Sequence, residues 1–558
     1  MDFDRTAVHR RLGFVLLILA AGVMTAALND CGGSGSASNH ASNPNSSPSS
    51  SSPPQPSMHT DVLTYRDDVA RDGADLTETV LTPANVNSSS FGLLRVLPVD
   101  GKVDAQPLYV AQLAIAGATH NVVFVATEND SVYAFDPQTG ATLWHVSLLG
   151  PGETPSDDRG CDQISPEIGV TSTPVIDLGA GPHGVIFVVA MSKDSSSNYY
   201  QRLHALDLTT GAELFNGPVT VNPTYSSPAG GEKTFSPGQY AERAALLLEN
   251  QTVYTSWTSH CDMQPYSGWI VGYDESTLAQ TAVLNIAADS SGGPSVWMSG
   301  GGLAADSSGN IYLLSANGAF ETTPDANGMP EYGDYGNSFL KLSTAGGGLA
   351  VADYFSPSDE VAASAADEDL GSGGAMLLPD VTDSSGVVRH LMVGGGKIGN
   401  LYVVNRDNMG KFNSSSNGMW QELDGVLPGG IYSTPAYFNG TLYDADVGGT
   451  LKAFTVTNAE LSSLPAAQTT TQFEYPGTSP AVSANGSSNG VVWAVENSNP
   501  AVLHAYNATD LTDELYNSNQ AADGRDNFGA GNKFITPTVA DGMVFVGTTD
   551  GVAVFGLL

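Results

Sequence analysis

The 558 residues carry 20 Lys and Arg against 58 Asp and Glu, a formal net charge of −38. So acidic a chain is repelled by nucleic-acid backbones and anionic lipid headgroups, which excludes nucleic-acid binding and electrostatic attachment to a membrane. With 63 Gly, 31 Pro and no long amphipathic helical pattern, the composition fits an all-β repeat fold, for which length is a poor guide to domain count.

The chain begins with His9-Arg10-Arg11, an apolar run from Leu12 to Leu28, Cys31, and a Gly/Ser/Asn/Pro tract to about Ser57. A basic region, an apolar region and a flexible spacer are the parts of an export signal. Leu28-Asn29-Asp30-Cys31-Gly32 resembles a bacterial lipoprotein cleavage site, which implies lipidation of Cys31. Asn29 and Asp30 depart from the small residues usual there, so ordinary cleavage and a retained anchor stay open; all three export the remainder. The predicted organisation is a signal over 1–30, a disordered linker over 31–60 and one globular domain over 61–558. The expected location is the periplasm or cell surface of a bacterium, with membrane contact only through a lipid at Cys31.

Strand-like runs then alternate with turns. Val122-Val-Phe-Val-Ala126 precedes Ala134-Phe-Asp136-Pro-Gln-Thr139-Gly140-Ala-Thr-Leu-Trp144. Val185-Ile-Phe-Val-Val-Ala190 precedes Ala205-Leu-Asp207-Leu-Thr-Thr210-Gly211-Ala-Glu-Leu-Phe215. In this repeat the Asp accepts backbone N–H groups of the turn, the Gly takes a positive φ, and the aromatic docks on the neighbouring unit. A unit this small cannot bury its own apolar face, so stacked copies share a core. Counting from about Asp104 gives eight units. Several open with a (T/S)-P pair, as at Thr173-Pro174, Thr434-Pro435 and Thr536-Pro537, which marks the start of an innermost strand. The last unit is one strand short, and the segment 91–100 supplies it, closing the ring and removing its open edge. The predicted fold is an eight-bladed β-propeller of four-stranded antiparallel blades. Cys161 and Cys261 are the cysteines beyond the leader; both stand in polar loops of an exported domain, and a disulfide between them is expected, with two separate thiols as the alternative.

Four stretches carry a resemblance to the quinoprotein family, propellers that include the pyrroloquinoline quinone (PQQ)-dependent alcohol and glucose dehydrogenases. Pro166-Glu167-Ile-Gly-Val170 resembles the family's A-E-L-G-V element, which implies a metal-binding role for Glu167. Trp297-Met-Ser-Gly-Gly-Gly302, leading to Asn317-Gly318, resembles the run whose Asn binds metal, which implies that role for Asn317. Asp367-Glu368-Asp369-Leu370 resembles the H-D-x-W-D element, making Asp369 the implied catalytic base and metal neighbour. Gly396-Lys397-Ile-Gly-Asn-Leu-Tyr402 resembles the element whose basic residue contacts the quinone, here Lys397.

The residue types suit that chemistry. Glu, Asn and Asp offer hard oxygens to Ca²⁺. The metal polarises a quinone carbonyl, Asp369 accepts the proton of an alcohol or sugar, and Lys397 offsets charge on the reduced quinone. Lanthanide-using members carry an Asp two residues after the base; Gly371 stands there, which implies calcium. The chain also departs from the family. It has no adjacent cysteines, Leu303-Ala304-Ala305-Asp306 stands where a floor tryptophan is expected, and no C-x-x-C-H holds a haem, so any electron acceptor is a separate molecule. Two readings therefore stand: an exported PQQ- and calcium-dependent dehydrogenase acting on a small-molecule substrate, or a non-catalytic propeller that binds or assembles an envelope protein.

Overall fold

Side chains such as those of Val122-Val-Phe-Val-Ala126 are buried on both faces of their strand, the pattern of a sheet packed between two others. The computed structural model describes residues 60–558 except Ser291; the export signal, Cys31 and the linker up to residue 59 lie outside the described residues. The strands form eight antiparallel blades. Blade 1 is Leu108–Ile115, Ala118–Ala126, Ser131–Phe135 and Thr142–Ser147. The innermost strands of blades 2 to 7 are Val175–Asp177, Leu247–Glu249, Ala304–Ala305, Met376–Leu377, Ala436–Phe438 and Ala481–Asn485. Those of blades 2, 6 and 7 begin directly after Pro174, Pro435 and Pro480, as the sequence predicts.

Blade 8 joins Thr538–Ala540, Met543–Gly547 and Gly551–Leu557 to the early strand Phe91–Pro98, which lies outermost. Both ends of the domain thus build one blade. Phe91 is fully buried there, edge-on to Tyr516 (5.0 Å between centroids) and beside Trp493 (5.4 Å).

The repeat motif works as a lock between blades. Asp136 Oδ1 accepts the N–H groups of Gln138 and Thr139 (both 2.9 Å), and its Oδ2 lies 2.8 Å from His120 Nδ1. Gly140 has φ +78°. Trp144 Nε1 donates to the carbonyl of Leu208 in blade 2 (2.8 Å). Gly211 of that blade has φ +68°, and a Cβ on it would meet the Trp144 ring at 2.8 Å. The motif of one blade is therefore the socket for the aromatic of the one before. Trp144→Ala is expected to cost about 3–5 kcal/mol, the range for truncating a packed aromatic. Gly211→Ala costs at least about 1 kcal/mol, because its backbone lies where L side chains are strained. Urea unfolding of both variants checks this, and unchanged midpoints would remove the lock from the account.

A feature with no repeat signature spans the ring. The segment 60–78 runs across the inner strands and bonds to every blade in turn. Val62 exchanges two hydrogen bonds with Tyr109 of blade 1 (2.8 and 2.9 Å), and the Leu63 carbonyl accepts Ile176 N–H of blade 2. The carbonyls of Val69, Ala70, Asp72 and Gly73 accept Ala305, Leu377, Tyr437 and Val482 N–H groups of blades 4 to 7 (2.8–2.9 Å). Arg71 reaches Leu246 O beside blade 3, and Glu78 accepts Gly542 N–H of blade 8. This strap satisfies inner-strand donors that a bare channel would leave to water.

Arg66 and Arg71 pin the strap, and neither has any exposed surface. Arg71 donates to Leu303 O (2.8 Å), Thr64 Oγ1 (2.7 Å), Tyr65 O (2.7 Å) and Leu246 O (3.2 Å). Burial lowers its pKa to about 10, which leaves it charged at neutral pH. Arg66 donates to the carbonyls of Pro435 and Pro480. Gly73 (φ +67°) is required there, because a Cβ would meet the Arg66 guanidinium.

Candidate functional site

Three of the four singled-out residues come together beside the axis. The turn after the short helix Glu360–Ala365 places Asp369, which is 7% exposed. Its Oδ1 accepts Asn317 N–H (2.8 Å), and its Oδ2 lies 2.7 Å from Lys397 Nζ. The Asp369 carbonyl accepts Lys397 N–H (2.8 Å), and a Cβ on Gly396 would meet that carbonyl. This close approach is why glycine precedes the lysine. Asp367 adds a second carboxylate, 3.0 Å from Lys397 Nζ and 2.9 Å from Asn317 Nδ2.

Burial is the largest influence on Asp369 and raises its pKa, opposed by Lys397 and the Asn317 N–H. Burial works against the charge on Lys397, but Asp369 and Asp367 outweigh it and hold its pKa above the ordinary lysine value. At neutral pH the group is an interlocked ion pair.

Glu167 is placed differently. It lies in the short strand Glu167–Ile168, where Asp157 is its backbone partner. Its pKa is raised by burial and by Asp100, and it in turn helps raise that of fully buried Asp130. Its stretch is clamped by Glu128, whose carboxylate accepts Gly169 N–H (2.7 Å) and the Thr171 hydroxyl (2.8 Å). The contacts of Asn317, Asp369 and Lys397 do not include Glu167. Among the described residues no group of three or more His, Cys, Asp or Glu side chains is placed to hold a metal ion.

The Trp297–Gly302 stretch does meet the Asp369 turn: Ser299 Oγ donates to Ser372 O (2.6 Å), and Ser372 Oγ lies 3.2 Å from Asp369 O. Around it stand Trp297 of that stretch and three aromatic side chains outside the quinoprotein-like elements. Trp297 packs edge-on to Phe534 (5.9 Å), Phe534 to Tyr475 (6.2 Å), and Tyr475 to Tyr432 (5.6 Å). Beneath them the Arg243 guanidinium lies 4.7 Å from the Phe534 ring and 5.8 Å from that of Trp297. Tyr432 feels the charges of Lys397 and Asp369, and Tyr475 those of Arg243 and Lys397, so rings and ion pair border one mouth. Cys161 and Cys261 are joined as a disulfide, Cα–Cα 5.7 Å, and Cys161 lines a small cavity with Arg243 and Trp297.

The space left is small. Cavities lined by Tyr432 and Phe534, by Arg243 and Trp297, by Asp369 and Gly396, and by Arg243 and Thr536 hold about 10 Å³ each. That is room for about one water apiece, whereas ligand pockets run to about 300–1,000 Å³. A cleft of about 580 Å³ lies elsewhere, between the strap and blades 4 and 5, lined by Asp68, Asp306, His390 and Arg406.

The comparisons place this geometry in a known architecture. A family model described as outer membrane protein assembly factor BamB matches residues 128–235. Among solved structures, the quinohemoprotein alcohol dehydrogenase of Comamonas testosteroni superposes with a TM-score of 0.58 at 14% identity, over 89% of this chain and 80% of that one. The propeller shares the fold of that dehydrogenase. Quinohemoprotein alcohol dehydrogenase ADHIIG of Pseudomonas putida HK5 gives 0.56 at 12% identity over the same shares. A europium-containing methanol dehydrogenase gives 0.54 at 13%, over 89% of this chain and 98% of that one. At such identities the likeness is one of fold. No curated protein matches the sequence.

PQQ and Ca²⁺ do not fit the residues present. Both Asp369 oxygens are taken, one by the Asn317 N–H and one by Lys397, Glu167 lies apart from them among other carboxylates, and the protein's own rings leave only water-sized spaces beside this ion pair.

Proposed function

We propose that the protein is an exported, non-catalytic propeller of the PQQ-like type, serving as a binding platform at the bacterial cell envelope. The observation that carries this reading is the closed mouth: Trp297, Phe534, Tyr475 and Tyr432 form a continuous aromatic cover over Arg243 and leave water-sized spaces. Export is supported by the basic and apolar residues of positions 9–28, with a lipid anchor at Cys31, and by a disulfide, which persists in oxidising compartments. The description of the matching family model, an outer-membrane assembly factor, points the same way, and the partner class is then an envelope protein.

Dye-linked oxidation tests the reading. With PQQ and CaCl₂ present, a panel of primary alcohols and aldoses is expected to reduce the dye no faster than the protein-free control. Substrate-dependent reduction lost in Asp369→Asn would overturn it in favour of a dehydrogenase.

A further inference from the structure

Positive charge is scarce in this chain, with 20 basic residues against 58 acidic ones, yet three cations gather at the closed mouth. Lys533 is half-buried; burial lowers its pKa, and Arg243 and Lys102 lower it further. Arg243 is 2% exposed and makes no ion pair and no hydrogen bond among the described residues; its Nε is buried without a partner. Two of the neighbouring acids do not answer it, and a third, Asp104, does so in part. Glu242 is bound by the Ser172 hydroxyl and pushed up to about 8 by burial, so it is largely neutral at pH 7. Glu128 is raised well above the carboxylate range by burial and by Asp104, and shares a proton with Asp104. Asp104 faces both Arg243 and Lys102, the latter at 3.8 Å, and lines one of the cavities beside Arg243.

Two small cavities meet at Arg243, and each contains another orphaned polar atom. One is lined by Thr536, whose Oγ1 has no partner; the other by His260, whose Nε2 has none and whose pKa burial lowers to about 4. A buried donor left unpaired costs about 1–3 kcal/mol, and a guanidinium presents a planar fork of N–H groups that matches carboxylate and phosphate oxygens. The cover over this fork is itself under strain: Phe534 holds φ +67°, rare for an aromatic residue.

We propose that Arg243, with Thr536, Lys102 and Lys533, binds the oxyanion head group of a small ligand, a carboxylate or a phosphate, whose oxygens enter the two small cavities that meet at Arg243. The body of the ligand stays outside the ring cover, on the solvent side of Tyr475, which is 49% exposed. None of the four residues falls in the stretches that resemble the quinoproteins. The inference goes beyond the platform reading and does not depend on it.

The test is calorimetric titration of the purified protein, in chloride buffer without PQQ, with sodium benzoate and separately with sodium phosphate. Saturable binding of either is expected, weakened at least tenfold by Arg243→Gln and at least threefold by Lys533→Gln, a half-buried position that tolerates the change if the first variant fails to fold. Tighter binding of benzoate assigns an organic carboxylate, and tighter binding of phosphate a phosphate ester. No saturable heat with either anion, or equal affinity in parent and Lys533→Gln, overturns the proposal. Because PQQ is left out, failure here and failure of the non-catalytic reading are separate results.

Discussion

Arg71→Ala lowers the stability of the whole ring by at least about 4 kcal/mol, among the largest effects of a single substitution in this chain. The guanidinium satisfies the carbonyls of Leu303, Tyr65 and Leu246 and the Thr64 hydroxyl, all buried. Alanine leaves those acceptors unpaired and opens a void at the crossing of the strap with blades 3 and 4. A propeller otherwise holds its blades only through neighbours, so cutting one adjacent contact is local. The strap instead bonds to all eight blades, and loosening it removes the single element they share. Urea unfolding followed by tryptophan fluorescence measures the loss. A midpoint within error of the parent would mean that the strap lies on the ring without holding it.

Lys397→Met is expected to cost about 3 kcal/mol, because it leaves Asp369 nearly buried with no counter-charge. Adding Asp369→Asn to that variant removes the stranded charge, so the double mutant is expected to recover more than about 1 kcal/mol. The sign of this recovery separates an ion pair from two independent surface groups. Additive losses in the double-mutant cycle would contradict the geometry in which both Asp369 oxygens are occupied.

Much of the ring was legible because its signals are local. The turn Asp136-Pro-Gln-Thr-Gly140 with Trp144 just beyond it, and the (T/S)-P pairs that open inner strands, are each read within a dozen residues. The closing strand Phe91–Pro98 was readable because the last unit is one strand short and this segment stands ahead of the first unit. The strap was not, because it forms no repeat and works through main-chain carbonyls and two arginines. At the mouth, resemblance led to Asp369, Lys397 and Asn317, which do converge, and to Glu167, which the fold turns toward Asp100 and Asp130. It was silent on Arg243, Tyr432, Tyr475 and Phe534, which come from separate blades with no shared spacing to the quinoprotein elements. One signal was present: Tyr432 and Phe534 each stand three residues before the proline that opens an inner strand, Pro435 and Pro537. Aromatic residues at that offset project at the axis.

Trp297, Phe534, Tyr475 and Tyr432 close the mouth beside Asp369 and Lys397 and leave no room there for a quinone. Calorimetric titration of the purified protein with PQQ in CaCl₂, with the absorption spectrum recorded in parallel, tests it most directly. The account predicts no saturable heat and a PQQ spectrum identical to that of the free cofactor. Stoichiometric binding that EDTA abolishes would contradict it and return Glu167, Asn317 and Asp369 to the role of metal ligands.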